Sequence, residues 1–386
     1  MDLLLTKGLP NARTEEYRFA PVVRVIEESA TFSAPTSVSV DQPLTTIPEL
    51  TFNRIVFING RYAPAHSQLP DSGALTLRQV SIPTPRKEQD PFDLLNLAFA
   101  EEVIHLEVAD HQQALHPIAI VHYINSPEYV FANPRWSLTI GTGSKATVLE
   151  YSEIPNGLAC FHNKQSAIRV KERGTVELVT IQQARNEVQV NNTEVNLADA
   201  AQAFSYTLTL DGKLIRNNLT FLLDGEGIDA HLHGLYLATG SVFIDNHTVV
   251  DHRKPNSSSN ELYKGVLDGR GKAVFNGKIF VRPDAQKTNA FQSNRNILLS
   301  EGSTIHTKPQ LEIWADDVKC SHGCTTGQLD EEALFYLRSR GIPKDAARGL
   351  LLSAFAGETL EGIQDLTLRA YVGELMLKKL HTSENG

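Results

Sequence analysis

The chain has 386 residues, a length that allows two or three domains and a sizeable hydrophobic core. Its 36 Lys and Arg residues against 45 Asp and Glu give a formal net charge of −9, which argues against binding to nucleic acid or anionic membranes. Three cysteines are too few for a disulfide scaffold, so we expect a reducing compartment, the cytoplasm. No apolar run is long enough to predict a membrane span.

Prolines are concentrated in the N-terminal part of the chain. Ten of the 18 prolines precede Leu94, so we expect few long helices there. A hairpin is predicted where the strand at 54–58 meets Asn59-Gly60, a pair that tolerates the positive φ of a type I′ turn. Asp90 predicts a helix N-cap and Pro91 the first helical residue, with one apolar face on the helix that follows: Leu94, Leu95, Ala98 and Phe99.

From about residue 116 to residue 314 the pattern is that of many short strands. Runs rich in Val, Ile, Thr, Leu and Phe are separated by Gly with Asp or Asn, as at Asp211-Gly212 and Asp268-Gly269. Roughly 200 residues of this pattern exceed one ordinary sandwich, which leaves a large barrel, a double sandwich or a β-solenoid. We find no clean internal repeat that decides among the three.

After Gly327 the pattern becomes helical. Asp330 predicts the N-cap of a helix over about 331–340, Pro343 opens a second helix, and a third is predicted over about 361–380. The second helix carries an apolar stripe, expected to pack on the body of the protein, with docking of a partner as the alternative: Ala347, Leu350, Leu351, Ala354 and Phe355.

The most specific local motif is Cys320-Ser321-His322-Gly323-Cys324, which follows a predicted strand. In an extended segment side chains alternate, so Cys320, His322 and Cys324 project to one face. Two thiolates and an imidazole suit iron, zinc or an iron–sulfur cluster, but closed zinc sites have four ligands and no fourth is visible nearby. The motif therefore indicates half of a metal site. The alternative is two small buried cysteines beside an unrelated histidine.

Other candidate motifs are weaker. The segment Gly141-Thr142-Gly143-Ser144-Lys145 lacks P-loop spacing and lies between strands, and no dinucleotide-binding pattern occurs, so the sequence contains no recognisable ATP site. No nucleophile elbow or HExxH motif is present. A second group of histidines is predicted to be exposed or hydrogen-bonded in a structural role: His231, His233, His247 and His252.

Longer motifs are dense over about residues 251–356 and thinner elsewhere. They include Glu261-Leu262-Tyr263-Lys264-Gly265, Thr307-Lys308-Pro309-Gln310-Leu311-Glu312-Ile313 and Ala315-Asp316-Asp317-Val318-Lys319-Cys320-Ser321-His322-Gly323. Near the start stand Gly8-Leu9-Pro10 and Glu15-Glu16-Tyr17-Arg18-Phe19. On these residues the chain resembles the SufB/SufD family of iron–sulfur cluster assembly proteins. A cysteine-rich segment expected of SufB is absent, which favours the SufD members.

This resemblance implies a mainly β fold, a right-handed parallel β-helix with an N-terminal mixed unit and a C-terminal helical unit. It implies pairing with a SufB-like scaffold subunit near the C-terminal end of the β-helix, and docking of a SufC-like ABC ATPase on the helical unit. His322 aligns with a family histidine at the interface where the nascent cluster is built. Cys320 also matches the motif, whereas other members can have Ala at the position of Cys324.

We therefore predict an N-terminal mixed α/β unit over 1–100, a β-helix core over 101–326 and a C-terminal helical unit over 327–386. The leading interpretation is a non-catalytic assembly subunit that holds no cofactor stably by itself and meets a transient iron–sulfur cluster in the complex. One alternative is a metal-dependent enzyme that uses Cys320, His322 and Cys324 with an unseen fourth ligand. Another is a β-solenoid adaptor that forms a homodimer in isolation. Stoichiometric metal in the purified chain would favour the enzyme.

Overall fold

The structure is a computed structural model that describes residues 2–11, 13–29, 47, 50–71, 73–86, 89–126, 128–155 and 159–382. The strands, in chain order, are β1 (Asn53–Ile58), β2 (Arg61–Tyr62), β3 (Leu75–Val80), β4 (Val103–Val108), β5 (Ile118–Tyr123), β6 (Val130–Ala132), β7 (Arg135–Ile140), β8 (Lys145–Glu153), β9 (Cys160–Val170), β10 (Thr175–Gln182), β11 (Glu187–Leu197), β12 (Gln202–Thr209), β13 (Leu214–Leu223), β14 (Asp229–Ala238), β15 (Phe243–His252), β16 (Ser258–Leu267), β17 (Lys272–Val281), β18 (Thr288–Leu298), β19 (Thr304–Ile313) and β20 (Val318–Gly327).

These strands form two long sheets. Sheet one has the order β2-β1-β5-β8-β10-β12-β14-β16-β18-β20, and sheet two has the order β19-β17-β15-β13-β11-β9-β7-β4-β3, with β6 also beside β9. From β8 onward the chain alternates between the sheets, and each strand is parallel to its neighbours. The chain is thus a β-solenoid of about eight turns followed by helices, which confirms the mainly β, parallel fold. The parallel stacking excludes the barrel and the double sandwich.

The space between the two sheets, here called the lumen, contains the main hydrophobic core. Inward side chains from both sheets fill it, and Ile120, Phe221 and Phe275 are among those fully shielded from solvent. Because strand side chains alternate, every second residue of a coil contributes to this core. The sequence pattern of short apolar runs therefore reflects a narrow core shared by successive coils.

The period of the solenoid is irregular, which explains why no repeat was recognised in the sequence. Paired residues of adjacent coils are 26 apart between Asn191 and Asn217, but 31 apart between Glu261 and Gln292. Inward positions also vary in chemistry, since Asn191 and Asn217 themselves point into the lumen among apolar rungs. Neither a fixed spacing nor a fixed residue type marks a coil.

The predicted hairpin and the short helix capped by Asp90 are both present, although Phe99 of the predicted apolar face is exposed. Strand β1 pairs with β2 in antiparallel fashion, and Asn59 and Gly60 between them have φ angles of 49° and 87°. The carboxylate of Asp90 accepts a hydrogen bond from the backbone N–H of Phe92, as an N-cap does. The N-terminal helices are α1 (Asp2–Lys7), α2 (Val22–Ser29) and α3 (Pro91–Phe99), and short 3-10 helices lie at Glu15–Tyr17 and Pro64–His66.

Three further helices follow β20, as predicted: α4 (Glu331–Ser339), α5 (Lys344–Gly357) and α6 (Leu366–Thr382). The carboxylate of Asp330 accepts hydrogen bonds from two backbone N–H groups at the start of α4. Helix α6 begins later than expected because Asp365 caps it, accepting from the backbone N–H groups of Thr367 and Leu368. A 3-10 helix at Glu358–Leu360 joins α5 to this segment.

Helices α5 and α6 pack on the outer face of sheet one. Leu352, Ala356 and Met376 join a hydrophobic cluster with outward side chains of successive strands, such as Leu208 and Leu235. The predicted stripe was wrong in detail, because Leu350 and Ala354 are exposed. The buried face is rotated, since contact with the curved sheet selects a different set of small and apolar residues: Ala347, Gly349, Leu352 and Ala356.

Candidate functional site

The predicted motif lies at one end of the solenoid, here called the open end and formed by β19 and β20. Strand β20 pairs with β18, and β19 pairs with β17. Within the part of the chain that the structure describes, neither strand has a second neighbour. Both therefore present a free edge of backbone N–H and C=O groups.

Cys320, His322 and Cys324 all lie on β20 and face the lumen. Cys320 packs against the edge of the luminal core, and Cys324 Sγ accepts a hydrogen bond from Thr307 Oγ1 of β19 at 3.2 Å. Alternation along the strand places His322 on the same face, between the two cysteines. The backbone thus arranges the three donors in one line, as the spacing predicts.

The three donors do not converge on one point. Successive residues on one face of a strand are about 6.6 Å apart. Cys320 and Cys324, two such steps apart, are therefore too distant to bind the same metal ion without rearrangement. Within the described residues no group of three His, Cys, Asp or Glu side chains is placed to hold a metal ion. His322 and Cys324 are exposed, while partial burial raises the pKa of the Cys320 thiol. The chain presents donors without closing a coordination shell.

A polar cluster deep in the lumen escaped the sequence analysis. It comprises His122, Glu150, His162, Lys164 and Glu187, all buried. His122 Nε2 lies 2.7 Å from Glu150 Oε1, His162 Nδ1 lies 2.8 Å from Glu187 Oε1, and Lys164 Nζ lies 3.6 Å from Glu150 Oε1. Its sequence signal is the run of inward polar positions on β9, which interrupts the apolar alternation of neighbouring coils.

Burial determines the charges in this cluster. It lowers the pKa of His122 to about 3, so the imidazole is neutral and donates to Glu150. Burial alone would raise the pKa of Glu150, but Lys164 and His122 lower it below its ordinary value. The carboxylates of Glu150 and Glu187 are thereby held in the lumen by hydrogen bonds, which stabilise one arrangement of these coils, while Lys164 Nζ lies within ion-pair range of Glu150 with no hydrogen-bond partner among the described residues.

The second group of histidines has hydrogen-bonded surroundings, in agreement with a structural role. His231 Nε2 lies 3.1 Å from Asp229 Oδ1, His247 Nε2 lies 2.8 Å from Asp245 Oδ1, and the His252 ring bonds to Ser259 Oγ at 2.9 Å. His233 packs edge-on against Tyr206. Their separate partners leave no common ligand position among them.

The fold and the open end define a class of protein, a parallel two-sheet β-solenoid that presents thiol and imidazole donors on its last strand. The family model for the SUF system FeS cluster assembly SufBD core domain matches residues 122–355. The chain is 32% identical to the iron–sulfur cluster assembly protein SufD of Escherichia coli, over 96% of this chain and 89% of that protein.

Two further relatives agree. A SufBD family iron–sulfur cluster assembly protein of Synechocystis is 31% identical over 94% of this chain and 85% of its own length. One from Mycobacterium tuberculosis is 36% identical over 47% of each chain. The chain therefore belongs to the SufB/SufD family, and it resembles the SufD members. It has a role in SUF iron–sulfur cluster assembly. None of the helices in the described ranges is long and apolar enough to cross a bilayer.

Proposed function

We propose that this chain is a non-catalytic subunit of the SUF assembly complex that pairs with a SufB-like scaffold subunit and docks a SufC-like ABC ATPase. The nascent iron–sulfur cluster is built at the interface with the scaffold subunit and is cargo, not a resident cofactor. One observation carries this proposal: among the described residues the solenoid ends on two strands that each have a free edge, and His322 is exposed beside them.

The free edges support pairing with a second solenoid. An exposed edge strand is a template for another strand, and natural proteins cover or blunt such edges unless they are used. Most of β20 is exposed, whereas strands in the middle of the solenoid are largely buried. A partner with the same coil geometry would continue both sheets and cover β19 and β20 together.

The donor set supports an interfacial site. Cys320, His322 and Cys324 supply at most three ligands along one strand, and metal centres of this chemistry are completed by four or more donors. The remaining donors are assigned to the scaffold subunit. Among the three, His322 is the principal residue and Cys324 the least important, because Ala occurs at its position in the family.

Exposed apolar side chains on the helical unit support ATPase docking. On α4, Phe335 is 72% exposed and Tyr336 57%, and Leu350 on α5 is 53% exposed. Large apolar groups exposed together are typical of protein interaction sites. Since the sequence has no nucleotide-binding motif, the ATPase is assigned to another chain.

Glycine substitutions test the pairing surface without disturbing the fold. A Cβ added at Gly323 on β20 meets no atom within 4 Å, and neither does one at Gly73, before β3. Gly323→Glu should abolish co-purification with a SufB-like subunit, while Gly73→Glu should leave it unchanged. Pairing unaffected by Gly323→Glu would contradict the proposal. A chain that binds only a second copy of itself, by mass measurement of the complex, would favour the homodimer instead.

Surface variants also test ATPase docking. Deleting residues 328–386 is unsuitable because α5 and α6 cover apolar side chains of sheet one. Phe335→Glu should instead reduce ATPase binding at least tenfold, whereas Leu366→Glu, at an equally exposed apolar residue of α6, should not. Equal ATPase binding by both variants would exclude this face of α4.

A further inference from the structure

Three residues form one row on the luminal face of sheet one, directly behind the open end. Glu261 on β16 is paired in register with Gln292 on β18, and Gln292 is paired with His322 on β20. Side chains at paired positions point to the same face of a sheet, and neighbouring strands are about 4.8 Å apart. Gln292 is therefore the residue immediately behind His322 in the lumen.

The first two members of the row are hydrogen-bonded and almost fully buried. Gln292 Nε2 donates to Glu261 Oε2 at 2.6 Å, and the two residues are 3% and 1% exposed. Sheet two leaves room for the amide, because a Cβ at Gly277 on β17 would come within 2.1 Å of Gln292 Nε2. The Gln292 amide thus occupies space that an alanine at position 277 would fill.

This hydrogen bond determines which way the Gln292 amide is turned. In this bond the amide NH₂ donates to a Glu261 oxygen, and an ionised carboxylate can only accept, so the amide NH₂ faces Glu261 whenever Glu261 is ionised. The carbonyl oxygen, Gln292 Oε1, is then turned away from Glu261. It is buried, and none of the described residues donates a hydrogen bond to it. A buried carbonyl oxygen that makes no hydrogen bond can accept one from a donor placed beside it.

We propose that Gln292 is a positioning residue for His322, with its free carbonyl accepting a ring N–H of His322 and Glu261 holding the amide in the required orientation. This inference rests on the proposed function of His322. One imidazole nitrogen would carry the proton toward Gln292, and the other would face the open end as a lone-pair donor. Groups behind a metal-binding histidine fix its tautomer and ring orientation in this way.

The first test measures the His322 tautomer in the isolated chain by ¹⁵N NMR, with the signal assigned by its loss in His322→Ala. We expect one tautomer to predominate in the natural sequence. The methionine in Gln292→Met has no accepting oxygen, so this variant should shift the ratio of the two His322 tautomers toward the ratio found in free imidazole. Ser293→Ala, on the opposite face of β18, should not. An unchanged tautomer in Gln292→Met, or a free-imidazole mixture in the natural chain, would overturn the inference.

A rescue variant separates positioning from simple loss of packing. In the double variant Glu261→Gln with Gln292→Glu, the new amide donates to the new carboxylate, whose second oxygen again faces His322. This swap should restore the His322 tautomer of the natural chain. Gln292→Met should not restore it, even if that variant is as thermally stable as the natural chain. Failure of a folded swap variant to restore the tautomer would also count against the inference.

The second test measures iron–sulfur cluster yield in the complex with its SUF partners. Loss of a group that orients a metal ligand lowers metal affinity or activity about 10- to 100-fold, so Gln292→Met should lower the yield about tenfold or more. Normal yield in His322→Ala would reject the proposed role of His322 and leave the tautomer result standing. Normal yield in Gln292→Met, with a reduced yield in His322→Ala, would reject the role of Gln292 alone.

Discussion

Two strands of equal length, β13 in the middle of the solenoid and β20 at its open end, differ in what surrounds them. In β13 seven of ten residues are buried, whereas in β20 none is. The backbone geometry is the same, but β13 has a parallel neighbour on each side and β20 has one. Stability is therefore concentrated in the middle coils, and the last coil is free to present reactive side chains.

Polar side chains in the lumen show the same contrast. Asn217 on β13 accepts from Asn191 at 2.6 Å and donates to Asn246 at 2.9 Å, so adjacent coils satisfy it on both sides. Gln292, one strand from the open end, bonds to Glu261 on one side only. Strand β18 also has a strand on each side, so the difference lies in the neighbour on β20: the paired residue there, His322, is exposed, and no described residue donates to Gln292 Oε1.

The largest expected difference in stability is between a buried aromatic residue in the middle coils and a half-exposed one near the open end. Phe221→Ala on β13 should lower the free energy of unfolding by about 3–5 kcal/mol, because it opens a cavity in the closed part of the lumen. Phe291→Ala on β18 should change it by less than about 0.5 kcal/mol, because that side chain is half exposed on the outer surface. Urea unfolding of the two variants measures the difference, and similar losses would refute the contrast.

Opposite pH dependence is expected at the two ends of the lumen. Burial raises the pKa of Glu261 to about 7. Its stabilising contribution to the free energy of unfolding is therefore full below about pH 4.5 and is lost as pH rises toward 7. The amount is on the order of 3 kcal/mol. Burial lowers the pKa of His122 to about 3, so that end is destabilised as pH falls below about 6.5.

Unfolding free energies at pH 5 and pH 7.5 check this prediction. Relative to the natural chain, Glu261→Gln should be less stable at pH 5 than at pH 7.5. His122→Gln should lose the acid sensitivity of the opposite end, so its relative stability should rise as pH falls. The same pH dependence in both variants would contradict the predicted signs.

A smaller effect is expected where the helical unit joins the solenoid. Lys264 on β16 is 2% exposed, donates to the Phe355 carbonyl at 2.7 Å and pairs with Glu358, which is 44% exposed. Glu358→Gln should cost about 1–3 kcal/mol because it leaves a buried ammonium without its carboxylate. Lys264→Met should lower the free energy of unfolding by less, because the partly exposed Glu358 carboxylate can still contact solvent and pair with Arg295. Thermal unfolding would contradict this reasoning if Lys264→Met proved the more harmful change.

The smallest effect on stability is expected at the open end itself. His322→Ala and Cys324→Ala should each change the free energy of unfolding by less than about 0.5 kcal/mol, because both side chains are exposed. His322→Ala should nevertheless lower cluster yield in the complex, read from visible absorbance and iron content, and Cys324→Ala should lower it less. Normal yield with His322→Ala would leave the chain a purely structural partner.

Local chemistry was readable from the sequence. Asp90 and Asp330 cap helices at the predicted positions, and Asn59 and Gly60 make the predicted turn, because these preferences depend on residues close in the chain. The alternation that lines up Cys320, His322 and Cys324 is likewise a property of any strand. Family motifs identified the solenoid, although residue patterns alone left three architectures open.

Contacts between distant coils were decided only by the tertiary structure. The buried face of α5 depends on the sheet beneath it, so a stripe drawn from helical spacing misplaced Leu350 and Ala354. The lumen brings His122 to Glu150, and Gln292 to Glu261, across spacings that vary from coil to coil. Helix caps and strand alternation are set by a few adjacent residues, whereas register between coils is set by how the whole lumen packs, and no local pattern encodes it.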